Sequence, residues 1–507
     1  MSAEIYSLAD KAGTQRLSSE KGAGRIAIVD IGSNTVRLVV YDSLSRLPVP
    51  VFNERVTCAL GRGLGKSGRL NADGVKLAMS ALTRFINLTE EMEVSRLELL
   101  ATAAVREAED GPAFAARVGK RFGRTVHVLS GDEEARLGAT GVLSGVPDAD
   151  GLVGDLGGGS LDLVSLDRGA FGESCSLPLG HLRIAEESEG DVIKTRNLVD
   201  AALDRLSWLT GFRGRRVYAT GGAWRALARV SITQKDYPLH VIDGYSVPAD
   251  AAIEMTRVLS GLGRKSLERI TGLSRRRAET LPFAAMAMNR LLERARPERL
   301  VFSGYSMREG MLFEMLSDET RREDPLISAC EGFAQRGGRF SVHGEEVVSW
   351  LEPLFPDASA DDRRLCLAAA LLSDIGWADH PDYRALHSFL RVLRLPIAGL
   401  THGERGFLAL AVFVRYDGSR RQYEVDQIRP LLTEDREHAA AVLGLALRLA
   451  HLISGGVPGL LEKTRLSLTE SNLTLGLAPN RKLFHSEAVE RLFRDLAKTL
   501  DVKPKIS

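Results

Sequence analysis

The sequence predicts a duplicated α/β protein followed by a helical C-terminal region. Residues 26–42, IAIVDIGSNTVRLVVYD, align without a gap with residues 151–167, GLVGDLGGGSLDLVSLD, which indicates a repeated unit. Short apolar strand patterns alternate with amphipathic helical patterns as far as about residue 317. Beyond Thr320 the strand patterns vanish and helical patterns follow one another. These three observations place two related α/β halves before a third, helical domain.

Length and charge limit the classes of protein that this chain fits. A chain of 507 residues is expected to form two or three domains. It has 67 Lys and Arg residues against 66 Asp and Glu residues, which gives a net charge of +1. The overall charge therefore predicts no polyanion partner, and a groove for any polyanion would require local clustering of basic residues.

Cysteine usage and hydropathy indicate where the protein works. The four cysteines lie far apart and form no CxxC pair, which argues against a disulfide framework or a zinc site and for a reducing compartment. No segment reaches the roughly 18 uncharged apolar residues that a membrane span needs. Residues 1–24 lack the apolar core of a secretory signal, and we expect them to form a flexible tail. We therefore expect a cytoplasmic protein that does not enter a membrane.

Each copy of the repeat has the pattern of a strand, a glycine turn and a second strand. Successive glycines allow the backbone to approach a phosphate and direct several N–H groups at it. Asp30 and Asp155 end the first strands, where a carboxylate can meet a cation carried by that phosphate. Two unrelated β-hairpins are the alternative, but the gapless double copy favours a phosphate site. The predicted phosphate-binding residues of the two turns are Gly32, Ser33, Asn34 and Thr35, and Gly157, Gly158, Gly159 and Ser160.

The turns DIGSNT and DLGGGS resemble the two phosphate loops of the acetate and sugar kinase/Hsc70/actin superfamily. The GSNT form of the first loop, with the segment SGDEEAR between the two, is similar to the exopolyphosphatase/guanosine pentaphosphate phosphohydrolase (Ppx/GppA) family. The resemblance runs from about Arg25 to about Glu314 and weakens in the C-terminal third. It implies two actin-like (ribonuclease H-like) halves with mixed five-stranded sheets, an all-α, HD-like C-terminal domain, and a homodimer.

The expected domain limits combine this resemblance with the change of pattern along the chain. They are a flexible tail at residues 1–24, actin-like domains at 25–138 and 139–317, and a helical HD-like domain at 318–507.

The resemblance implies that Glu134 is the general base that activates the attacking water. Hydrolysis of a phosphoanhydride needs a water in line with the terminal phosphorus and a carboxylate to accept its proton. Glu133 and Glu134 both follow a predicted strand and open a helix, so complementing the helix dipole is the alternative role. We assign that role to Glu133 and catalysis to Glu134.

Two arginines are expected to face the phosphate chain. Arg106 follows the apolar segment ending at Ala104, and strand ends carry the ligands in doubly wound folds. The Arg of a similar family motif faces phosphate, although a surface arginine is the alternative. Arg277 matches a basic position of the family, within a run of three arginines at a helix start.

Asp155 and Asp162 are the predicted metal ligands, and Asp30 is a third candidate. The expected ion is Mg²⁺ or another divalent cation. Asp162 departs from the family, which often has Glu at this position, and this leaves the metal geometry open.

Two further segments leave alternatives open. Gly221-Gly222 lies between a strand and a helix, as in the nucleotide site of kinase and Hsp70 relatives, or serves close helix–sheet packing. Trp224 follows this turn and is expected to obstruct a base there. Near Asp374 the sequence is similar to an HD metal motif, but Ser373 stands in place of the His, which argues against a second metal site.

Together with these residues, the resemblance implies a Mg²⁺-dependent exopolyphosphatase that removes terminal phosphate processively from inorganic polyphosphate. The alternatives are a guanosine pentaphosphate (pppGpp) 5′-phosphohydrolase, a sugar- or acetate-type kinase, and a non-catalytic phosphate or alarmone sensor. The expected partners are polyphosphate and (p)ppGpp, with no nucleic acid and no membrane.

Overall fold

The computed structural model describes residues 24–340, 342–419, 423–477 and 486–507. The predicted tail, apart from Gly24, lies outside the described residues.

The first α/β half is built on a five-stranded sheet in the order β3-β2-β1-β4-β5. Its strands are β1 (Ile26–Ile31), β2 (Thr35–Tyr41), β3 (Pro50–Thr57), β4 (Arg96–Ala101) and β5 (Val126–Val128). Its helices are α1 (Leu64–Ser67), α2 (Ala72–Glu91), α3 (Ala103–Glu107), α4 (Gly111–Phe122) and α5 (Gly131–Gly145). Helix α2 starts where the Asn71 side chain accepts a hydrogen bond from the N–H of Gly74, a common N-cap arrangement.

The second half repeats this plan on a six-stranded sheet in the order β10-β11-β9-β6-β7-β8. Its strands are β6 (Gly151–Leu156), β7 (Leu161–Asp167), β8 (Ala170–Leu177), β9 (Arg216–Thr220), β10 (Tyr245–Pro248) and β11 (Arg299–Phe302). Its helices are α6 (His181–Glu187), α7 (Val192–Leu203), α8 (Gly222–Gln234), α9 (Ala249–Gly261), α10 (Arg264–Leu267), α11 (Arg275–Ala295) and α12 (Met307–Glu314), with a 3₁₀ helix at Ser207–Phe212.

The register of the strands confirms the duplication. Asp30 is opposite Arg37 across the β1–β2 pair, and Asp155 is opposite Asp162 across the β6–β7 pair, at the same positions of the aligned segments. The prediction of five strands for the second sheet is wrong by one. Its extra strand, β10, has only four residues and ends in Pro248, so no strand pattern marks it in the sequence.

The helical character of the C-terminal region is confirmed. Its helices are α13 (Asp318–Arg322), α14 (Pro325–Gly337), α15 (Gly344–Leu351), α16 (Ala360–Leu372), α17 (Pro381–Arg394), α18 (His402–Arg415), α19 (Tyr423–Ile428), α20 (Glu434–Ser454) and α21 (Glu487–Thr499). Short 3₁₀ helices occupy Glu352–Leu354, Arg429–Leu431 and Leu461–Lys463.

The same region also contains a three-stranded sheet that the sequence did not predict. It is formed by β12 (Thr464–Leu468), β13 (Asn472–Leu477) and β14 (Lys503–Ile506), in the order β12-β13-β14. Only alternate residues such as Leu466, Leu473 and Leu475 are buried, and β14 is reached only after helix α21. Short strands separated by a helix give too weak a pattern to be found in sequence.

Helix α5 crosses α12 at a close contact between the first half and the end of the second. A Cβ on Gly141 would lie 2.1 Å from the carbonyl oxygen of Ser306, and one on Gly310 would lie 2.0 Å from that of Leu137. Only glycine allows the two backbones to approach this closely. The crossing fixes the N-terminal end of α5 against the two sheets. The predicted domain limit between residues 138 and 139 falls inside α5, and the domain limits stay predictions.

Candidate active site

The two glycine turns line one cleft of about 520 Å³ between the α/β halves. Both turns have the same backbone geometry: the N–H of Gly32 donates to the carbonyl of Thr35 at 3.0 Å, and that of Gly157 to Ser160 at 2.9 Å. The turns also touch, since a Cβ on Gly159 would lie 3.0 Å from the hydroxyl of Ser33. The structure therefore brings together all eight residues predicted for the two phosphate loops.

Ser130 is the N-cap residue of helix α5 and forms a capping box with Glu133. The side chain of Ser130 accepts from the N–H of Glu133 at 3.2 Å, and the carboxylate of Glu133 accepts from the N–H of Ser130 at 2.8 Å. Glu133 therefore caps the helix start, where the sequence predicted only that it complements the helix dipole. The neighbouring Glu134 lines the cleft.

Burial is the main influence on the Glu134 carboxylate, whose side chain is 14% exposed. It raises the pKa of Glu134 to about 7, and the negative charges of Asp155 and Asp30 act in the same direction. A hydrogen bond of 2.8 Å from the Arg106 guanidinium opposes this increase. A carboxylate with a pKa near neutrality is suited to accept a proton at physiological pH.

The two predicted arginine ligands lie in different surroundings. Arg106 donates to the carbonyl of Leu129 at 2.9 Å as well as to Glu134, and its side chain is not among those that line the cleft. It therefore orients Glu134 in this structure. Arg277 does line the cleft, where a Cβ on Gly222 would lie 3.0 Å from its guanidinium.

The three predicted metal ligands all line the cleft close to Glu134. Burial raises the pKa of both Asp30 and Asp155, and the charge of Asp155 adds to the effect on Asp30. Burial, followed by the charge of Glu134, raises the pKa of Asp162 well above its usual range. Mutual repulsion of this kind favours binding of a cation among the carboxylates.

The arrangement nevertheless lacks a complete protein cage for a metal. Within the described residues, no three His, Cys, Asp or Glu side chains are placed to hold one ion. Asp162 already accepts hydrogen bonds from Ser160 at 3.2 Å and Ser176 at 2.5 Å. Asp30 and Asp155 fit Mg²⁺ best, since this ion usually binds one or two carboxylates and takes its other ligands from phosphate and water.

Sequence reasoning missed five arginines that line the cleft, Arg37, Arg55, Arg62, Arg225 and Arg308. Arg308 is only 6% exposed and lies in the first turn of helix α12. Its segment Arg308-Glu309-Gly310 resembles a family motif, but the sequence does not show that the arginine enters the cleft. Arg37 had a detectable signal, because it interrupts the apolar strand TVRLVVY on the same face as Thr35. Burial, with the charges of Arg308 and Arg225, lowers the pKa of Arg37 to about 10.

The expectation that Trp224 obstructs the turn at Gly221-Gly222 is wrong. Its indole is fully buried and donates to the carbonyl of Ala284 at 3.0 Å. A Cβ on Gly154 would touch the ring at 2.8 Å, so Trp224 packs beneath the sheet and not in the cleft. Both glycines of the turn line the cleft, and nucleotide binding there stays an open prediction.

In the HD-like segment of the C-terminal region, arginines pair with the carboxylate that a metal would need as a ligand. Asp374 pairs with Arg339 at 2.9 Å and with Arg415 at 3.0 Å. Ser373 shares a hydrogen bond of 2.7 Å with His451, whose pKa is lowered to about 3 by burial. The carboxylate of Asp374 is thus paired with two guanidinium groups.

Comparison with known proteins identifies the family. Residues 39–319 match the Ppx/GppA phosphatase family, and residues 326–503 match the C-terminal domain of exopolyphosphatase. The chain belongs to the Ppx/GppA phosphatase family. The predicted family is thus confirmed. The predicted duplicated α/β fold and the predicted phosphoanhydride hydrolase are confirmed with it.

Proteins similar to this chain carry three different names. Exopolyphosphatase 1 of Mycobacterium tuberculosis is 27% identical over 58% of this chain and 89% of its own length. A guanosine-5′-triphosphate,3′-diphosphate pyrophosphatase of Vibrio cholerae is 24% identical over 89% of this chain and 91% of its own length. Retrograde regulation protein 2 of Saccharomyces cerevisiae is 26% identical over 77% of this chain and 72% of its own length.

Solved structures agree on the fold of the α/β halves. The exopolyphosphatase of Cytophaga hutchinsonii superposes with a TM-score of 0.53 at 24% identity, covering 57% of this chain and 97% of its own. Across the described part of the chain, none of the helices combines the length and apolar character needed to cross a bilayer.

Proposed function

We propose that this protein is a Mg²⁺-dependent exopolyphosphatase that releases orthophosphate from the end of inorganic polyphosphate. The observation that supports this most is the position of Glu134. Its carboxylate lies in the cleft that all eight residues of the two glycine turns line, with a pKa near neutrality and with Arg37, Arg225 and Arg308 nearby. Polyphosphate brings only phosphate groups, and the walls of this cleft offer the N–H groups of the two turns and several guanidinium groups beside the carboxylates.

The reaction follows from these positions. The two turns bind the terminal phosphate through their N–H groups, and a water lies between the terminal phosphorus and Glu134. The water oxygen attacks the phosphorus in line while Glu134 takes its proton. The bond from the phosphorus to the bridging oxygen breaks, and the electron pair stays on the shortened chain. Orthophosphate leaves, and the arginines balance the negative charge that builds up on the chain end.

Magnesium would be held by Asp30 and Asp155, with Asp162 nearby. When bound, the ion offsets charge on the phosphate oxygens and polarises the terminal phosphoryl group. Asp162 keeps its hydrogen bonds to Ser160 and Ser176, so we assign it the role of supporting the second turn.

A 5′-phosphohydrolase acting on pppGpp is the second candidate. It is favoured by the Vibrio cholerae relative, which aligns with 89% of this chain, whereas the mycobacterial exopolyphosphatase aligns with 58%. The turn at Gly221-Gly222 lines the cleft, so part of a bound nucleotide would lie against it. The chemistry at Glu134 is the same for both substrates. The preference for one of them must therefore depend on contacts with the part of the substrate that lies farther from Glu134.

The experiment measures orthophosphate release with Mg²⁺ from long-chain polyphosphate, pppGpp and ATP, for the wild type and for Glu134→Gln. We expect release from polyphosphate, and a fall of at least about 10³-fold in kcat for the variant with the substrate affinity retained. Glu133→Gln is the matched control, since it removes the neighbouring carboxylate that only caps the helix. It should retain activity.

Other results would change the assignment. Release from pppGpp alone would favour the alarmone phosphatase. Tight binding of one substrate without any turnover would replace the enzyme by a phosphate or alarmone sensor. Equal losses in Glu133→Gln and Glu134→Gln would show that the helix start, and not the base, had been disturbed.

A further inference from the structure

A second, larger cavity of about 1370 Å³ continues from the cleft towards the C-terminal region. It lies between strands β2 and β3, helix α8, helix α14 and the loop at residues 394–397. The side chains common to the walls of both cavities are almost all basic: Arg37, Arg55, Arg225, Arg277 and Arg308. A substrate that fills the cleft and extends further must therefore pass these arginines.

Two of the arginines are aligned by strand pairing. Arg37 on β2 is directly opposite Arg55 on β3 in the antiparallel ladder. Cross-strand partners present their side chains on the same face of a sheet, so these two guanidinium groups are neighbours on the first half.

Helix α8 presents a matching pair from the second half. Arg225 and Arg229 are four residues apart, which places them one turn from each other on the same side of the helix. Both line the larger cavity. The four side chains thus form two pairs across the groove: an inner pair, Arg37 with Arg225, and an outer pair, Arg55 with Arg229.

Neutral acceptors hold the inner pair in place. Arg37 donates to the amide oxygen of Asn53 at 2.8 Å, and Arg225 donates to the carbonyl of Gly304 at 2.9 Å. Neither bond cancels the positive charge. The carboxylates that act on this pair are Asp30 and Asp155 of the cleft and Glu309 of the larger cavity.

The outer pair has even less compensation. Burial, with the charge of Arg55, lowers the pKa of Arg229, and no carboxylate acts against this effect. Among the residues that the structure describes, neither Arg55 nor Arg229 forms an ion pair. Two guanidinium groups that face each other without an acid repel, and an anion between them would remove the repulsion.

We infer that Arg55 and Arg229 bind the polyphosphate chain beyond the scissile bond and determine the preference of this protein for long chains over short ones. The inference rests on the proposed function of the cleft. A long chain carries a negative charge on every phosphate, so it can meet both pairs at once. A short chain ends within the cleft, whose wall includes Arg55 but not Arg229, so it cannot meet both members of the outer pair. In pppGpp the nucleoside, not phosphate, would meet Arg229.

The test uses the full chain with Mg²⁺ and the variants Arg55→Gln, Arg229→Gln and the double variant. We expect the ratio of kcat/KM for long-chain polyphosphate to that for tripolyphosphate to fall about tenfold in the double variant, mainly through KM. Arg84→Gln is the matched control. Arg84 bonds Glu54, the neighbour of Arg55 that points to the other face of β3, so the same charge is lost outside the groove. Its ratio should not change.

Binding of long-chain polyphosphate to the Glu134→Gln protein separates this inference from the proposed function. Adding Arg55→Gln and Arg229→Gln to that background should weaken binding about tenfold, whether or not the wild type hydrolyses polyphosphate. Unchanged binding, or equal losses for long-chain polyphosphate and tripolyphosphate, would overturn the assignment of the outer pair. An inactive wild type whose binding still falls would refute only the proposed reaction.

Discussion

Two opposite influences act on Glu134 at the scale of the single residue. Burial and the neighbouring aspartates raise its pKa to about 7, while Arg106 lowers it through a hydrogen bond and through its charge. Because the base must be ionised, kcat should rise with pH through an apparent pKa near 7. In Arg106→Gln the positive charge that opposes the increase is lost, so the rise of kcat should shift to higher pH by about one unit.

The pH profile of kcat measures this shift. Arg136→Gln is a suitable control, because it removes a guanidinium from the same helix that pairs with Glu314 at 3.9 Å and stacks over Phe171. An unmoved profile in Arg106→Gln would contradict the proposed pairing, and an equal movement in both variants would indicate a general effect of charge.

The same carboxylate should affect stability. A carboxyl whose pKa is about 7 in the folded protein and 4.5 otherwise binds more protons when folded. Its favourable contribution is complete below pH 4.5 and is lost as the pH rises through 7. Glu134→Gln should therefore stabilise the protein by about 1–3 kcal/mol at pH 8 and by little at pH 5.

Thermal unfolding of the wild type and Glu134→Gln at the two pH values tests this prediction. Glu133→Gln controls for loss of a carboxylate at the same helix start, since hydrogen bonds to Ser130 lower the pKa of Glu133. A gain that is the same at pH 5 and pH 8 would mean that the ionisation of Glu134 is not its cause.

At the scale of elements, the crossing of α5 and α12 positions two functional side chains together. Helix α5 carries Glu134 and α12 carries Arg308. Gly141→Ala would place a Cβ 2.1 Å from the carbonyl oxygen of Ser306, so one helix must move. We expect a loss of about 1–3 kcal/mol in stability, and a lower kcat, because the shift is transmitted along α5 to the base.

Chemical denaturation and kinetics of the variant measure both effects. Gly211→Ala is the control, since a Cβ there meets no atom within 4 Å. Full activity in Gly141→Ala with reduced stability would show that α5 can move without displacing Glu134.

The elements also show what sequence can predict. Glu134 and the two turns were found because their signals are local: a short motif, a glycine run and a helix start. Trp224 and Arg225 follow the same turn, yet one enters the core and the other lines the cleft. Their directions depend on how α8 packs on the sheet, which no single-sequence pattern contains. Strand β14, KPKI, was missed for a similar reason, since only pairing with β13 makes it a strand.

At the scale of the whole molecule, the distribution of charge matters more than its sum. The net charge of +1 gives little long-range attraction for a polyanion. Arginines are instead concentrated where the cleft opens into the larger groove, within reach of both halves. Recognition of polyphosphate by this protein should therefore act at short range, once the chain has entered the groove.

Ionic strength distinguishes this local recognition from general attraction. At about 0.1 M salt charges are screened over roughly 10 Å, which weakens contacts at the open end of the groove more than those in the enclosed cleft. KM for long-chain polyphosphate should rise about fivefold between 50 and 300 mM NaCl at fixed Mg²⁺, with kcat nearly constant. The rise in KM should be smaller in the Arg55→Gln, Arg229→Gln double variant, because this variant lacks the two positive charges of the outer pair. A KM that rises equally in both proteins would locate the salt-sensitive contacts elsewhere on the surface, and a change confined to kcat would place them at the chemical step.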